Sequence, residues 1–266
     1  MRPRSSGTEP VLEDIQSRKD HRRIAIDKVG VKDIVYPITV LDKTHGEQHT
    51  VATVNMYVGL PHHFKGTHMS RFVEVLNEHR HGIAVGSVRP ILETIRERLD
   101  AVSAHLELRF PYFMEKRAPV SRAPSLMAYP CALKGSLEGD EFDLVAEVGV
   151  PVTSVCPCSK AISAGGAHNQ RSQVTVNVRF REFVWLEDLI HLVESRASCE
   201  VFSLLKRSDE KYVTERAYNN PKFVEDIVRD VAQALLRDPN VTWFSVEAEN
   251  FESIHNHNAY AYVEKW

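Results

Sequence analysis

"SQVTVNVRF", residues 172–180, decides the fold. Val174, Val176, Val178 and Phe180 fall on one side of an extended chain, and Thr175, Asn177 and Arg179 on the other. That period of two belongs to a strand with one buried face. Upstream, "EFDLVAEVGVPVTSV" (141–155) reads as a second strand. Downstream, Leu186, Leu189, Ile190 and Val193 recur at helical spacing. Asn220 is expected to cap a further helix, with Pro221 at its first position. The buried stripe of that helix is Val224, Ile227, Val228, Val231 and Leu235. "VTWFSVEAENF" and "NAYAYVEKW" close the chain as strands.

The N-terminal half reads in the same order. "DIVYPITVLD" (33–42) and "QHTVATVNMYVGL" (48–60) are strands joined by the turn "KTHGE", and 70–79 is a helix. Ser87 is expected to cap a second helix whose apolar face is Val88, Ile91, Leu92, Ile95, Leu99 and Val102. Strands follow around Leu106, Leu108 and Phe110 and at 126–135. No residue-level repeat accompanies this repeat of elements. Antiparallel hairpins flanking helix pairs predict an α+β fold with helices on one face of each sheet. The exposed sheet edges favour oligomerisation.

The 266 residues carry a formal net charge of −3, which argues against nucleic acid or an anionic membrane as partner. No stretch approaches the roughly 18 apolar residues of a membrane span. The opening "MRPRSSGTEPVLEDIQSRKDHRR" lacks an apolar signal core, and residues 1–25 are read as a flexible tail. Four cysteines make no disulfide framework, so reduced thiols and a cytoplasmic location are expected.

The chemistry concentrates in "TSVCPCSKAISAGGAHNQRS" (153–172). Cys156 and Cys158 flank a proline, and His168 follows a Gly-Gly pair. Thiolate and imidazole are metal ligands, but no second cysteine pair exists to close a four-ligand structural site. A metal here would need carboxylates as well, which suits an open site and admits Mn or Fe beside Zn. The same residues also fit a redox disulfide, inert small side chains and a backbone-bonded loop histidine. The polar, Gly-rich loop favours function.

"PVTSVCPCSKAISAGGAHNQRS" resembles the signature of the prokaryotic GTP cyclohydrolase type IB family. "KGTHMSRFVE" (65–74), "LLKRSDEKYVTERAYNNPKFVEDIVRDVA" (204–232) and "ENFESIHNHNAYA" (249–261) are also similar to that family's blocks. The resemblance implies conversion of GTP and water to 7,8-dihydroneopterin triphosphate and formate, the first step toward tetrahydrofolate. It implies tandem tunnelling-fold modules, here 26–140 and 141–266, each an antiparallel four-stranded sheet with two helices on one face. It also implies a homotetramer with active sites at subunit interfaces, and a divalent metal (Mn, Fe or Zn).

Residue by residue, the resemblance makes Cys156 the essential cysteine and Cys158 the second one. It associates Cys156, His168, Glu210, Glu252 and His255 with the metal, and makes Glu225 the anchor of the guanine edge. A carboxylate there can accept from the guanine N1–H and 2-amino groups. His168 and His255 are candidates for acid–base work. Lys65, Arg71, Lys160, Arg171, Lys206 and Arg207 are candidates for the triphosphate, and His68 for a further substrate contact.

Read without the resemblance, Glu225 is a surface residue of its helix, Glu210 lies in a charged turn "KRSDEK", and Glu249 competes with Glu252 as the carboxylate of "ENFES". His62 and His63 are adjacent, so their side chains diverge and a surface role is expected. Cys131 and Cys199 are expected to be buried small residues. Two rivals remain: a nitrile reductase of queuosine biosynthesis on the same fold, with a cysteine nucleophile and NADPH, and a non-enzymatic metal or redox module built on the CPC pair.

Overall fold

The computed structural model describes residues 16, 18–79 and 85–266. Most of the expected N-terminal tail, residues 1–15 and 17, therefore lies outside the described residues. The chain runs β1 (Ile26–Asp42), β2 (Gly46–Leu60), α1 (Met69–His79), α2 (Val88–Leu99), β3 (Ser103–Arg117), β4 (Pro124–Glu138) and β5 (Glu141–Val155). It continues with α3 (Pro157–Ile162), β6 (Asn169–Phe180), α4 (Leu186–Glu194), β7 (Cys199–Glu200), α5 (Arg207–Asn219), α6 (Val224–Leu236), β8 (Val241–Asn250) and β9 (Ala259–Lys265).

All pairings are antiparallel, in the order β1-β2-β3-β4-β5-β6-β8-β9, with β7 beside β5. The β4–β5 hairpin, Glu138 opposite Glu141, fuses the strands of both halves into one sheet. Cross-strand neighbours share a face. The row Phe110, Cys131, Val148, Val176, Val246, Val263 runs from β3 to β9 on one side. All but Val263 are buried, in one core with Ile91, Leu92, Ile95, Ile190, Val193, Ile227 and Val231 of the helices. Each such Val, Leu or Ile contributes about 1.5–3 kcal/mol by leaving water.

Two devices, one polar and one steric, position elements against this face. Tyr112 and Tyr129 are cross-strand partners. Tyr112 donates to Glu187 Oε1 at 2.5 Å and Tyr129 to Glu194 Oε1 at 2.7 Å, so α4 is seated by two buried carboxylates. Gly135 provides the other: a Cβ there would lie 2.4 Å from Val88 Cγ1, so only glycine lets α2 pack this close.

Several expectations need correction. Ser87 stands at the N-cap of α2 but makes no capping side-chain bond. α2 ends at Leu99, where Asp100 turns left-handed (φ 50°), so Val102 leaves the helix stripe and is exposed. Asn220 terminates α5 rather than starting α6. The Lys222 N–H bonds Val155 O at 2.9 Å, which keeps the chain extended past Pro221 until Phe223 caps α6. The "charged turn" around Glu210 is the first turn of α5. The second half thus carries α3, β7 and α5 beyond the element order read from period.

Candidate active site

Four hairpin connections emerge at the same end of the sheet: 43–45, 118–123, 156–168 and 251–258. In the first half the opening hairpin closes with a three-residue turn; its second-half counterpart is the 156–168 segment. Cys156 occupies the N-cap of α3, with Pro157 at the first helical position, and its Sγ accepts from Ser159 N at 3.5 Å. The Cys156 N–H donates to His168 O at 3.1 Å, and Ser159 Oγ accepts from His168 N at 3.1 Å and donates to Cys156 O at 3.2 Å. Ser159 thereby ties the cysteine to the histidine across the Gly-rich loop.

His168 Nδ1 lies 2.9 Å from Gln170 Oε1 and 3.8 Å from Glu252 Oε2, with both ionisable side chains largely covered. Glu252 enters from the β8–β9 connection, which the Phe251 N–H anchors to Arg171 O at 3.0 Å. Glu249 instead accepts from Asn258 at 2.7 Å and braces that connection, so Glu252 is the carboxylate at the histidine. A satellite core of Val155, Cys199 and Ala217, packed by Ala167 and Val213, supports the loop from below.

The remaining candidates at this end are arranged more loosely. Lys160 donates to Tyr218 O and lies 4.2 Å from the Tyr218 ring centroid. Lys206, Arg207 and Glu210 are exposed at the start of α5, and Glu225 is exposed in the first turn of α6. Arg171 is exposed on β6. His255 is exposed and stacked on His257 at 5.2 Å. Cys156 is half-buried and Cys158 exposed; both are free thiols. Cys131 and Cys199 are buried, and burial pushes both thiols up, as inert core residues require.

Lys65, His68 and Arg71 are not part of this cluster. They follow β2, which runs to the opposite end of the sheet. His68 and Arg71 line a cavity of ≈ 150 Å³ with Thr67, Leu99 and Asp100, and Arg71 Nη1 donates to Arg98 O at 2.9 Å. β5 spans 15 residues between the two ends. At about 3.3 Å per residue the separation is roughly 45–50 Å. One chain cannot bring both groups to one substrate. His62 and His63 are exposed, as expected, but their side chains do not diverge: they lie in a turn after β2, not in a strand, and the rings meet edge to face at 5.3 Å.

The donor chemistry at Cys156, His168 and Glu252 suits a mixed sulfur, nitrogen and oxygen site. Among the described residues, however, no three His, Cys, Asp or Glu side chains converge closely enough to hold an ion. Glu210 and His255, two of the expected ligands, point to solvent-exposed positions of the chain.

Sequence reasoning missed Asp209. It is fully buried and accepts from Val120 N, Ser121 N and Lys206 N at 2.8 Å each and from Ser121 Oγ at 2.6 Å. Burial pushes its carboxyl up, but these bonds prevail and hold it well below the usual range. Asp209 thus clamps α5, and with it Lys206 and Arg207, to the β3–β4 turn. Its signal was a position three residues into a helix that has no apolar stripe.

The sequence matches the family described as "Type I GTP cyclohydrolase folE2" over residues 12–261. It is 66% identical to "GTP cyclohydrolase FolE2" of Syntrophus aciditrophicus (strain SB), over 95% of this chain and 99% of that protein. It is 60% identical to the protein of that name from Nitrosococcus oceani, over 100% and 99%. The fold is similar to a uricase from Bacillus fastidious (TM-score 0.56, 8% identity, covering 90% of this chain and 92% of that one). It is also similar to a urate oxidase mutant from Bacillus sp. TB-90 (TM-score 0.54, 9% identity, 90% and 99%). At such identities the likeness concerns architecture alone. Where the resemblance gave type IB, the family description reads type I, FolE2. The match across nearly the whole chain, with relatives this close, places the chain in the type I GTP cyclohydrolase FolE2 family.

Proposed function

We propose that the end of the sheet carrying Cys156, His168 and Glu252 is where this chain, a GTP cyclohydrolase of folate biosynthesis, acts on GTP. The reaction takes GTP and water to 7,8-dihydroneopterin triphosphate and formate. The carrying observation is the Cys156–Ser159–His168 tie with Glu252 3.8 Å from the imidazole. Water must add at C8 of guanine, the C8–N9 bond must break, a second water must release the formyl group as formate, and closure of the new ring onto the ribose carbons gives one water back. Each step moves a proton, and an imidazole titrating near neutrality suits that role. His168 is the proposed shuttle and His255 its exposed neighbour in function. Glu225 is the proposed anchor for guanine N1–H and the 2-amino group.

Lys160, Arg171, Lys206 and Arg207 are the proposed triphosphate contacts from the same chain. Lys65, His68 and Arg71 stand at the far end, so we assign them to the site of a second copy. That assignment puts active sites at subunit interfaces, and we propose a homotetramer built from tandem tunnelling-fold modules (26–140 and 141–266). A divalent metal (Mn, Fe or Zn) is proposed at Cys156 and His168, with Glu210, Glu252 and His255 as further donors. It rests on donor chemistry, since one chain does not assemble three of them. Four free thiols support a cytoplasmic location. Among the described residues no helix is long and apolar enough to cross a membrane.

The test is an assay of metal-stripped protein with GTP, with and without Mn, Fe or Zn, following formate and the fluorescence of the oxidised pterin. Metal-dependent product, abolished in Cys156→Ala, is the expected result. No product with any metal, joined by NADPH consumption on a deazapurine nitrile, would replace it with the nitrile-reductase reading.

A further inference from the structure

A chain of buried polar groups runs from His168 into the core face of the sheet. Ser154, Gln170, Ser172 and Asn250 occupy the core-facing phase of β5, β6 and β8, where valines stand one pair further along. Their exposures are 0%, 7%, 0% and 3%. Four polar side chains in such a position cost stability unless each is bonded. Gln170 Nε2 donates to Ser154 Oγ at 2.8 Å, the two serine hydroxyls lie 3.0 Å apart, and Ser172 Oγ donates to Asn250 Oδ1 at 2.6 Å.

The direction of the chain is set by the two amides, Asn250 with its Oδ1 on Ser172 and Gln170 with its Nε2 on Ser154. The Ser172 proton is committed to Asn250 Oδ1, so Ser154 supplies the proton between the hydroxyls and takes its own bond from the Gln170 NH₂. Gln170 therefore turns its amide oxygen toward His168 Nδ1, at 2.9 Å. An amide oxygen only accepts, so Nδ1 carries the proton. The second group near Nδ1, Glu252 Oε2 at 3.8 Å, is also an acceptor and favours the same form.

We infer that Gln170 is a positioning residue that locks neutral His168 in the Nδ1–H tautomer, leaving the Nε2 lone pair as its reactive or ligating atom. The inference rests on the reading of His168 as a site residue. The Ser154–Ser172–Asn250 chain keeps the Gln170 amide from turning over, which would protonate Nε2 and silence it. Partners of this kind, one step behind the working imidazole, are worth about 10–100-fold in metal affinity or activity.

The experiment records long-range ¹H–¹⁵N spectra of histidine-labelled, metal-free protein at a pH where imidazole is neutral, with His168 assigned by its loss in His168→Gln. Wild type should show Nδ1–H. Gln170→Leu should give a mixture of tautomers and a kcat lowered about tenfold or more with KM little changed. Gln170→Glu, which keeps an acceptor, should restore Nδ1–H. Ser154→Ala, a smaller change in the fold, should raise the Nε2–H fraction. An Nε2–H wild type overturns the inference, as does unchanged Nδ1–H in both Gln170→Leu and Ser154→Ala. The tautomer is read without GTP or metal, so failure here leaves the cyclohydrolase assignment standing, and failure of that assignment leaves the spectra interpretable.

Discussion

Lys116 Nζ lies 2.7 Å from Glu194 Oε1 and 2.6 Å from Glu200 Oε2, with the lysine and Glu194 side chains only 6% and 5% exposed. The ammonium also donates to Val201 O at 2.9 Å, and Tyr129 donates to the same Glu194 oxygen at 2.7 Å. The group joins β3, β4, α4 and the segment after β7, which leads to α5 and the site. Removing one partner of a buried, hydrogen-bonded pair leaves the other charge uncompensated. Lys116→Met should lower unfolding stability by about 3–5 kcal/mol in urea titrations. A change near zero would mean that Glu194 and Glu200 find other donors.

The same cluster sets a pH window. Burial pushes the Glu194 carboxyl up, but His191, Lys116 and Tyr129 outweigh it and hold it below its ordinary 4.5. A carboxylate with a depressed folded value contributes stability that is fully present above about 4.5 and lost as pH falls below it through the depressed folded value. His191 moves the other way: its bond to Glu194 raises it above 6.5, against burial and Lys116. Its contribution is present below 6.5 and fades as pH rises through the raised value. Melting temperature should therefore fall on both sides, shallowly on the alkaline side because His191 is largely exposed. His191→Gln should remove the alkaline slope and also weaken the acid one, because His191 helps hold Glu194 down; persistence of the alkaline slope would assign it elsewhere.

Gly135→Ala tests the approach of α2 to the sheet. The added methyl meets Val88 Cγ1 at 2.4 Å and Leu92 Cδ1 at 3.1 Å, and both residues are fully buried. Overpacking of this kind costs about 1–3 kcal/mol. A double variant with Val88→Ala should recover part of the loss, and an additive pair of losses would place the strain elsewhere.

The periods of 2 and 3.6 made the long strands and α1, α2, α4 and α6 legible, because each turns one apolar face to a single core. α5 was not legible: its buried residues are Asp209 and Ala217, so no stripe exists to be read. Pro221 gave a true helix-start signal that the backbone bond from Lys222 to Val155 overrode. At the site, Cys156 and His168 stood out because they lie in a polar, Gly-rich connection, whereas Glu252 came from the family resemblance and competed with Glu249 until the structure separated them. Gln170, Ser154, Ser172 and Asn250 did not, because they alternate with valines and pass for ordinary strand polarity. Their core-facing phase was the available signal. The distance of Lys65, His68 and Arg71 from the main loop depends on sheet length and strand direction, which motif blocks do not carry.

Metal choice follows from donor type. With one thiolate, two imidazoles and two carboxylates, the proposed donor set is not biased toward soft ions. Metal-stripped protein should regain turnover with Mn or Fe at least as well as with zinc. Recovery with zinc alone would point to Cys158 as a second thiolate, and Cys158→Ser would then separate the two cases.

The two ends of the sheet make the final prediction. If His68 or Arg71 serves a site whose Cys156 belongs to another copy, Cys156→Ala and His68→Ala chains are each inactive for different reasons. Co-refolded in equal amounts, random pairing gives roughly a quarter of sites with both contributions intact in a symmetric assembly. Activity near that fraction of wild type should return in the mixture, and neither variant mixed with itself should show it. A mixture as inactive as its parents would confine each site to one chain, and would leave His68 and Arg71 to the local cavity they line beside α2.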